Sequence, residues 1–151
     1  MDTRPVVVGV DGSEDSLQAL RWGADYAQRF DAPLHAVAVY DVPRVYGPMA
    51  MTGFQDAQEL EKSYQAMLKE AVGSALGSQA QVTERVERGH PARNLIQASR
   101  DAQLLVLGSR GHGGFVGMLL GSVSQHCVAQ ARCPVIVMPH EAKGTAEEQG
   151  Q

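Results

Sequence analysis

The chain has 151 residues, of which 44% are hydrophobic, and its 13 Lys and Arg against 17 Asp and Glu give a formal net charge of −4. This apolar content suffices for one domain-sized core, whereas the acidic balance argues against a nucleic-acid-binding protein, which needs basic patches. The uncharged stretch at residues 45–55 is too short to cross a bilayer, so we expect no membrane span. We also expect no signal peptide, because MDTRPVVVGVDGS already reads as a strand and a turn.

The first predicted elements are a strand, a helix and a second strand. The apolar run PVVVGV predicts a strand at residues 5–10 that is buried on both faces. Ser13 can cap a helix predicted over residues 13–30, because its hydroxyl can accept a hydrogen bond from an amide of the first turn. The second strand is predicted at residues 34–40. Residues 43–55 have no clear period and fit either a flexible connector or a loop that covers a ligand.

The later elements begin with a long helical pattern over residues 56–76. QVTERVERG, at residues 81–89, predicts a strand that carries enough charge to belong at a sheet edge. Pro91 lies near the first turn of a short third helix. The remaining elements are an apolar fourth strand at residues 104–107, a helix from 121 or 122 to 131, and a fifth strand at 134–138.

This alternation predicts an α/β fold with a single doubly wound, five-stranded parallel sheet and helices on both faces. The apolar first and fourth strands should be central, and the charged third strand should be one edge. The short, apolar fifth strand is predicted as the other edge, where an exposed strand invites association. We therefore expect a homodimer through Val135–Met138, a domain spanning residues 1–140, and a flexible polar tail at 141–151.

The segment LLVLGSRGHGGFVGMLLGSVS, residues 104–124, joins an apolar strand to a cluster of glycines and the start of a helix. Absent Cβ atoms let a ligand approach backbone N–H groups, and a helix N-terminus favours an anion. Ser122 and Ser124 add hydroxyl groups at the same end, so the segment suits a phosphate chain. The P-loop pattern GxxxxGKS/T is absent from the sequence, and the same glycines could instead build a plain surface loop.

GSRG at residues 108–111, then nine residues, then GSVS at residues 121–124 resembles the G-x2-G-x9-G-S/T ATP-binding signature of the universal stress protein family. VVVGVDGSEDSLQALRWGADYA resembles the amino-terminal strand, turn and helix of that family. GHPARNLIQAS resembles the start of its third helix, and SVSQHCVAQARCPVIVMP its carboxyl end. The resemblance covers residues 6–139 and implies the strand order 3-2-1-4-5. Because the signature is complete, it also points to the ATP-binding subgroup.

The resemblance implies a role for individual residues. The ribose and phosphates would be lined by Gly108, Arg110 and Gly111, and the phosphate chain would be held by Gly121, Ser122, Val123 and Ser124. Asp11 would contact the adenosine part, with Val39 and Tyr40 flanking the adenine, although Asp11 also fits a plain turn residue before a glycine. Mg²⁺ or Mn²⁺ could bridge the phosphates. His112 fits either an added charge beside them or a solvated loop residue.

The leading hypothesis is a cytoplasmic stress or signalling protein in which bound ATP changes shape or partner choice. Donors for a phosphate chain are present, but no convincing base is, so we expect slow hydrolysis or none. One alternative is a dimeric adaptor whose glycine-lined cleft stays empty, and the other is a weak ATPase or adenylate-using enzyme. Cys127 and Cys133 fit reduced structural thiols, with a redox pair as the alternative.

Overall fold

The computed structural model describes residues 2–42, 50–111 and 120–140, with residues 50–56 described by their helical backbone. The strands are β1 (Val6–Gly9), β2 (Leu34–Tyr40), β3 (Thr83–Arg88), β4 (Leu104–Gly108) and β5 (Val135–Met138). The helices are α1 (Glu14–Arg29), α2 (Ala50–Leu76), α3 (Pro91–Ser99) and α4 (Ser122–Gln130). The elements therefore alternate along the chain, as predicted.

The five strands form one parallel sheet in the order β3-β2-β1-β4-β5. This confirms the predicted fold class, its strand order and both edges. In the centre, Val6 of β1 stands opposite Leu34 on one side and Leu104 on the other. Helices cover both faces of the central strands, and for this reason these strands are apolar at nearly every position.

Successive residues of a strand point to opposite faces, so β1 contributes to two separate cores. Val6 and Val8 pack with Leu20 and Leu68 on the face covered by α1 and α2. Val7 packs on the other face, in a second cluster formed with α3, α4 and the neighbouring strands; its other buried members include Leu95, Leu105 and Cys127. The two cores hold the carboxyl ends of β1, β2 and β4 side by side.

The turn between β1 and α1 contains the N-cap that was predicted at Ser13. Gly12 has a φ of 86°, a left-handed conformation that favours glycine. Ser13 caps α1, since its side-chain oxygen accepts a hydrogen bond from the Ser16 amide at 3.3 Å. The turn fixes the start of α1 beside the carboxyl end of β1.

The segment after β2 differs from the prediction. α2 begins at Ala50, so residues 50–55 of the predicted connector are helical. No proline follows Pro48 until Pro91, and most of the residues directly before 56 are compatible with a helix, so the helical pattern continues toward the amino end. Residues 43–49, His112 and the predicted tail at 141–151 lie outside the described residues. Within the described part of the chain, the helices are too short or too polar to cross a membrane.

Candidate functional site

A cavity of about 520 Å³ opens at the carboxyl ends of β1, β2 and β4. After β1 the chain builds β2 and β3 on one side and then returns to place β4 on the other, so the sheet has its switch point here. Apolar side chains form part of the wall, among them Val37, Val39, Leu95 and Leu107. Backbone and hydroxyl groups form much of the remainder. This combination suits a small ligand with one flat apolar part and one polar part.

Nine of the ten predicted site residues line this cavity: Asp11, Val39, Gly108, Arg110, Gly111, Gly121, Ser122, Val123 and Ser124. Tyr40 is the exception among the described residues. It follows Val39 in β2 and therefore points to the opposite face of the sheet, where its ring lies 5.7 Å from that of Tyr64. Tyr64 itself reaches the cavity wall from α2. Strand alternation could have separated Tyr40 from Val39 before the structure was known.

The N-terminus of α4 forms the polar wall. Ser122, Val123 and Ser124 are its first three residues, and such amides have no partner within their own helix. Within the described residues their N–H groups make no backbone hydrogen bond outside the helix either. These amides, together with the positive end of the helix dipole, form an anion-binding arrangement.

The amide of Gly121, which was expected to bind phosphate, has a hydrogen-bond partner within the protein. Its N–H group donates a hydrogen bond of 2.7 Å to the Ser109 carbonyl oxygen, so this amide is already used within the protein. Its φ of −71° is open to any residue. A Cβ on Gly121 would lie 3.6 Å from the Arg110 Cα, which is ordinary contact. The three residues that follow Gly121 line the cavity, and the hydrogen bond of the Gly121 amide fixes the position of the first turn of α4.

Ser124 also has a structural role that its position in the signature does not reveal. Its side chain is buried, and the hydroxyl donates a hydrogen bond of 2.7 Å to the Gly108 carbonyl oxygen. This bond joins α4 to the end of β4 and uses the only hydrogen of the hydroxyl group. Ser122, which is exposed, remains the hydroxyl group on the rim of the cavity.

Gly108 is required by close packing. A Cβ at this position would lie 2.7 Å from the Asp15 Cβ and 2.9 Å from the Asp15 carbonyl carbon. No real Cβ tolerates such a contact with backbone, so α1 could not lie this close to β4 if residue 108 had a side chain. Three residues further on, a Cβ on Gly111 would collide with Oδ2 of Asp11.

Asp11 has the turn role considered from the sequence, and it also lines the cavity. Its Oδ1 accepts hydrogen bonds from the Ser13 amide at 2.9 Å and from the Ser13 hydroxyl. Its Oδ2 lies on the side of Gly111 at the cavity wall. One oxygen thus holds the turn before α1, while the other faces the site.

Several residues of the site were not predicted. Ser13, Ser16, Tyr64, Pro91 and Leu95 also line the cavity. Leu95 lies four residues after Pro91 on the inner side of α3, so helical periodicity could have identified it. The sequence carries no such signal for Ser109, whose carbonyl group links the loop after β4 to α4.

Both cysteines have thiols whose pKa is raised by burial. Cys127 is fully buried, and this burial raises the pKa of its thiol to about 11. Burial also raises the pKa of Cys133, while the nearby charge of Arg4 acts in the opposite direction. A thiol with a raised pKa is a poor nucleophile, which favours the structural interpretation.

These shifts predict slow alkylation of the native thiols. At pH 8 a thiol with a pKa of about 11 is only about one part in a thousand thiolate, so Cys127 should react with iodoacetamide at least about a hundredfold more slowly than in urea-unfolded protein. Mass spectrometry after timed labelling gives both rates for each cysteine. Rapid native labelling of Cys127 would contradict its burial.

The described residues contain no group of three or more His, Cys, Asp or Glu side chains that could hold a metal ion. Arg110 lines the cavity and is half-buried. The site is therefore one of backbone amides, hydroxyl groups and apolar side chains, with Asp11 and Arg110 as its charged members among the described residues.

A doubly wound parallel sheet with a glycine-bordered cavity at its switch point places the chain among the α/β folds, whose ligand sites generally lie beyond the carboxyl ends of the strands. The model of the universal stress protein family matches residues 2–139. The chain belongs to the universal stress protein family.

Two relatives show how the chain compares in length. A universal stress protein of Mycolicibacterium smegmatis is 38% identical over 140 residues, which cover 89% of this chain and 45% of that protein. Universal stress protein MJ0531 of Methanocaldococcus jannaschii is 31% identical over 143 residues, covering 93% of this chain and 84% of the relative. The chain thus spans about half the length of the mycobacterial relative and most of the archaeal one.

Solved structures share the fold. Protein MJ0577 superposes with a TM-score of 0.79 at 16% identity, covering 95% of this chain and all of that one. A universal stress protein in complex with cAMP gives a TM-score of 0.56 at 25% identity, covering 91% of this chain and 98% of that one. The Archaeoglobus fulgidus protein in complex with dAMP gives 0.58 at 22% identity, covering 91% and 99%.

Proposed function

We propose that this chain binds ATP in the cavity at the switch point and acts as a nucleotide-dependent stress or signalling regulator. The observation that carries the proposal is the row of α4 amides, from Ser122 to Ser124, that lines the cavity beside Gly108 and Gly111. A phosphate chain supplies the negative oxygens that such amides bind. The two solved relatives in complexes with cAMP and dAMP support an adenine nucleotide as the ligand class.

The rest of the cavity fits the nucleoside. Val37, Val39 and Leu107 offer an apolar surface for a flat base. Asp11 has one oxygen beside Gly111, and a carboxylate suits ribose hydroxyl groups as a hydrogen-bond acceptor. We therefore place the adenosine toward β1 and β2 and the phosphates toward α4.

A divalent cation would arrive with the phosphates. The described residues offer no dedicated cluster, so Mg²⁺ or Mn²⁺ would take most of its ligands from phosphate oxygens, with Asp11 as the carboxylate of the cavity wall. Asp11 is also the only Asp, Glu or His among the described lining residues, and its Oδ1 is already occupied by Ser13. We therefore propose slow hydrolysis or none, because activation of water needs a positioned base.

The experiment that tests the proposal starts from protein purified without added nucleotide. Denaturation and chromatography identify any adenine compound that is released, and titration calorimetry measures binding of ATP, AMP, cAMP and dAMP. We expect ATP to bind more tightly than AMP, because more phosphate oxygens reach α4, and GTP serves as the base control. If no nucleotide is released and ATP gives no heat, the empty-cleft adaptor becomes the better account.

We also propose a homodimer through β5, which is an edge of the sheet. The Leu105 amide donates to Pro134 and the Ser109 amide donates to Met138, each at 3.0 Å. Since parallel strands use alternate residues toward one neighbour, the N–H and C=O groups of Val135 and Val137 point to the open side. The partly buried strand thus offers a pairing edge to a second copy.

Val137→Pro should convert the dimer to a monomer. Proline removes the outward-facing N–H group and leaves the bonds between β5 and β4 in place. Light scattering should show a mass near the 16.2 kDa of one chain, whereas Val137→Thr, which keeps the amide, should stay near twice that value. A Val137→Pro protein that remains dimeric would place the interface elsewhere.

A further inference from the structure

The buried carboxylate of Asp15 is paired with His140, whose side chain is 38% exposed, next to Gly108 at the wall of the cavity. Asp15, in the first turn of α1, is 5% exposed and is the only buried carboxylate among the described residues. Both of its oxygens lie 2.9 Å from Nδ1 of His140. His140 follows β5 and is separated from Asp15 by 125 residues of sequence.

The donor in this pair follows from its chemistry. Carboxylate oxygens only accept hydrogen bonds, so Nδ1 of His140 carries the hydrogen. This N–H group offsets part of the negative charge of the carboxylate. Among the described residues, its other hydrogen bond is a long one of 3.5 Å, from the Ser109 hydroxyl to Oδ2. His140 is therefore its principal partner.

Asp15 lies close to the groups that would face phosphate. Its backbone packs so tightly on Gly108 that no Cβ fits between them. Ser109, the next residue, accepts the hydrogen bond from the amide of Gly121 that positions the start of α4. A carboxylate at this depth acts through a medium of lower dielectric constant than water, and without a partner it would repel phosphate oxygens.

The other charged groups at this end are placed differently. Asp11 is exposed and has Ser13 as its partner. Glu14 is exposed and lies 3.7 Å from Arg21, which it pairs with on the outer side of α1. Arg110 lines the cavity itself. Asp15 is thus the negative charge that solvent does not screen.

We propose that His140 shields the phosphate-binding end from the Asp15 carboxylate, so that this pair determines how much negative charge the site accepts. The inference rests on the proposed function and names the positioning residues that set the preference for a polyphosphate.

The test compares a highly charged ligand with an uncharged one. His140→Ala should lower the affinity for ATP about fivefold to tenfold and leave the affinity for adenosine unchanged, because only the phosphates sense the uncovered charge. Adding Asp15→Asn to His140→Ala should restore ATP binding. Arg29→Ala, which breaks the exposed Arg29–Asp25 pair of 3.2 Å on the same helix, should change neither affinity.

The outcomes separate this inference from the proposed function. Equal losses for ATP and adenosine, or no rescue by Asp15→Asn, would show a purely structural pair and overturn the inference alone. If His140→Ala does not fold, Asp15→Asn alone serves as the test. This variant should bind ATP at least as tightly as the unchanged protein. A lower affinity for ATP with unchanged affinity for adenosine would overturn the inference. No ATP binding by the unchanged protein would overturn the proposed function and, with it, this inference.

Discussion

Ser122→Asp is expected to lower the affinity for ATP by about a hundredfold or more, since it sets a negative charge where a phosphate would lie. Ser122 is the first residue of α4, is exposed and lines the cavity. An aspartate there would take up the free amides of the first turn in place of the ligand. The same charge is favourable for the helix dipole, so the free energy of unfolding should stay unchanged or rise by less than about 1 kcal/mol.

Two matched variants separate charge from shape at this position. Ser122→Asn has nearly the size of aspartate without its charge, and Ser122→Ala removes only the hydroxyl group. Titration calorimetry should show that Ser122→Asn lowers the affinity for ATP by less than about tenfold. Ser122→Ala should lower it by less than about threefold. ATP binding by Ser122→Asp that matches the unchanged protein would mean that the phosphates do not lie on α4.

Gly108→Ala should be strongly destabilising although it adds only one methyl group. The new Cβ would lie 2.7 Å from the Asp15 Cβ and 2.9 Å from its carbonyl carbon, so α1 must shift away from β4. Overpacking of this kind typically costs about 1–3 kcal/mol, and we expect the upper part of that range because backbone is involved. Urea denaturation monitored by circular dichroism measures the change.

Two other glycines provide the controls for this substitution. A Cβ added to Gly73, in the last turn of α2, would meet no neighbouring atom within 4 Å outside its own turn, so Gly73→Ala should stabilise the helix by up to about 1 kcal/mol. Gly121→Ala should cost less than about 1 kcal/mol, since its Cβ would make contacts of 3.6 Å and longer and only the preference for glycine at the N-cap of α4 is lost. If all three variants were equally stable, close packing would not be the reason for glycine at residue 108.

The alternation of elements and the position of the glycine signature could both be predicted from the sequence. Alternating apolar strands and amphipathic helices are local patterns, and a parallel sheet is their simplest arrangement, so the charged β3 and the short β5 could be placed at the edges. The glycine signature could be located for a similar reason, because its spacing is written along the chain. The start of α2 at Ala50 was missed, since its first turns carry little periodic signal.

Which groups of the signature remain available to a ligand depends on the packing of the folded chain. It uses the amide of Gly121 and the hydroxyl of Ser124 inside the protein, and it leaves the amides that follow Gly121 at the cavity. It also brings His140 to Asp15. Periodicity specifies which face of an element is buried, but a hydrogen-bond partner depends on distances between atoms far apart in the chain, and only packing of the complete fold sets those distances.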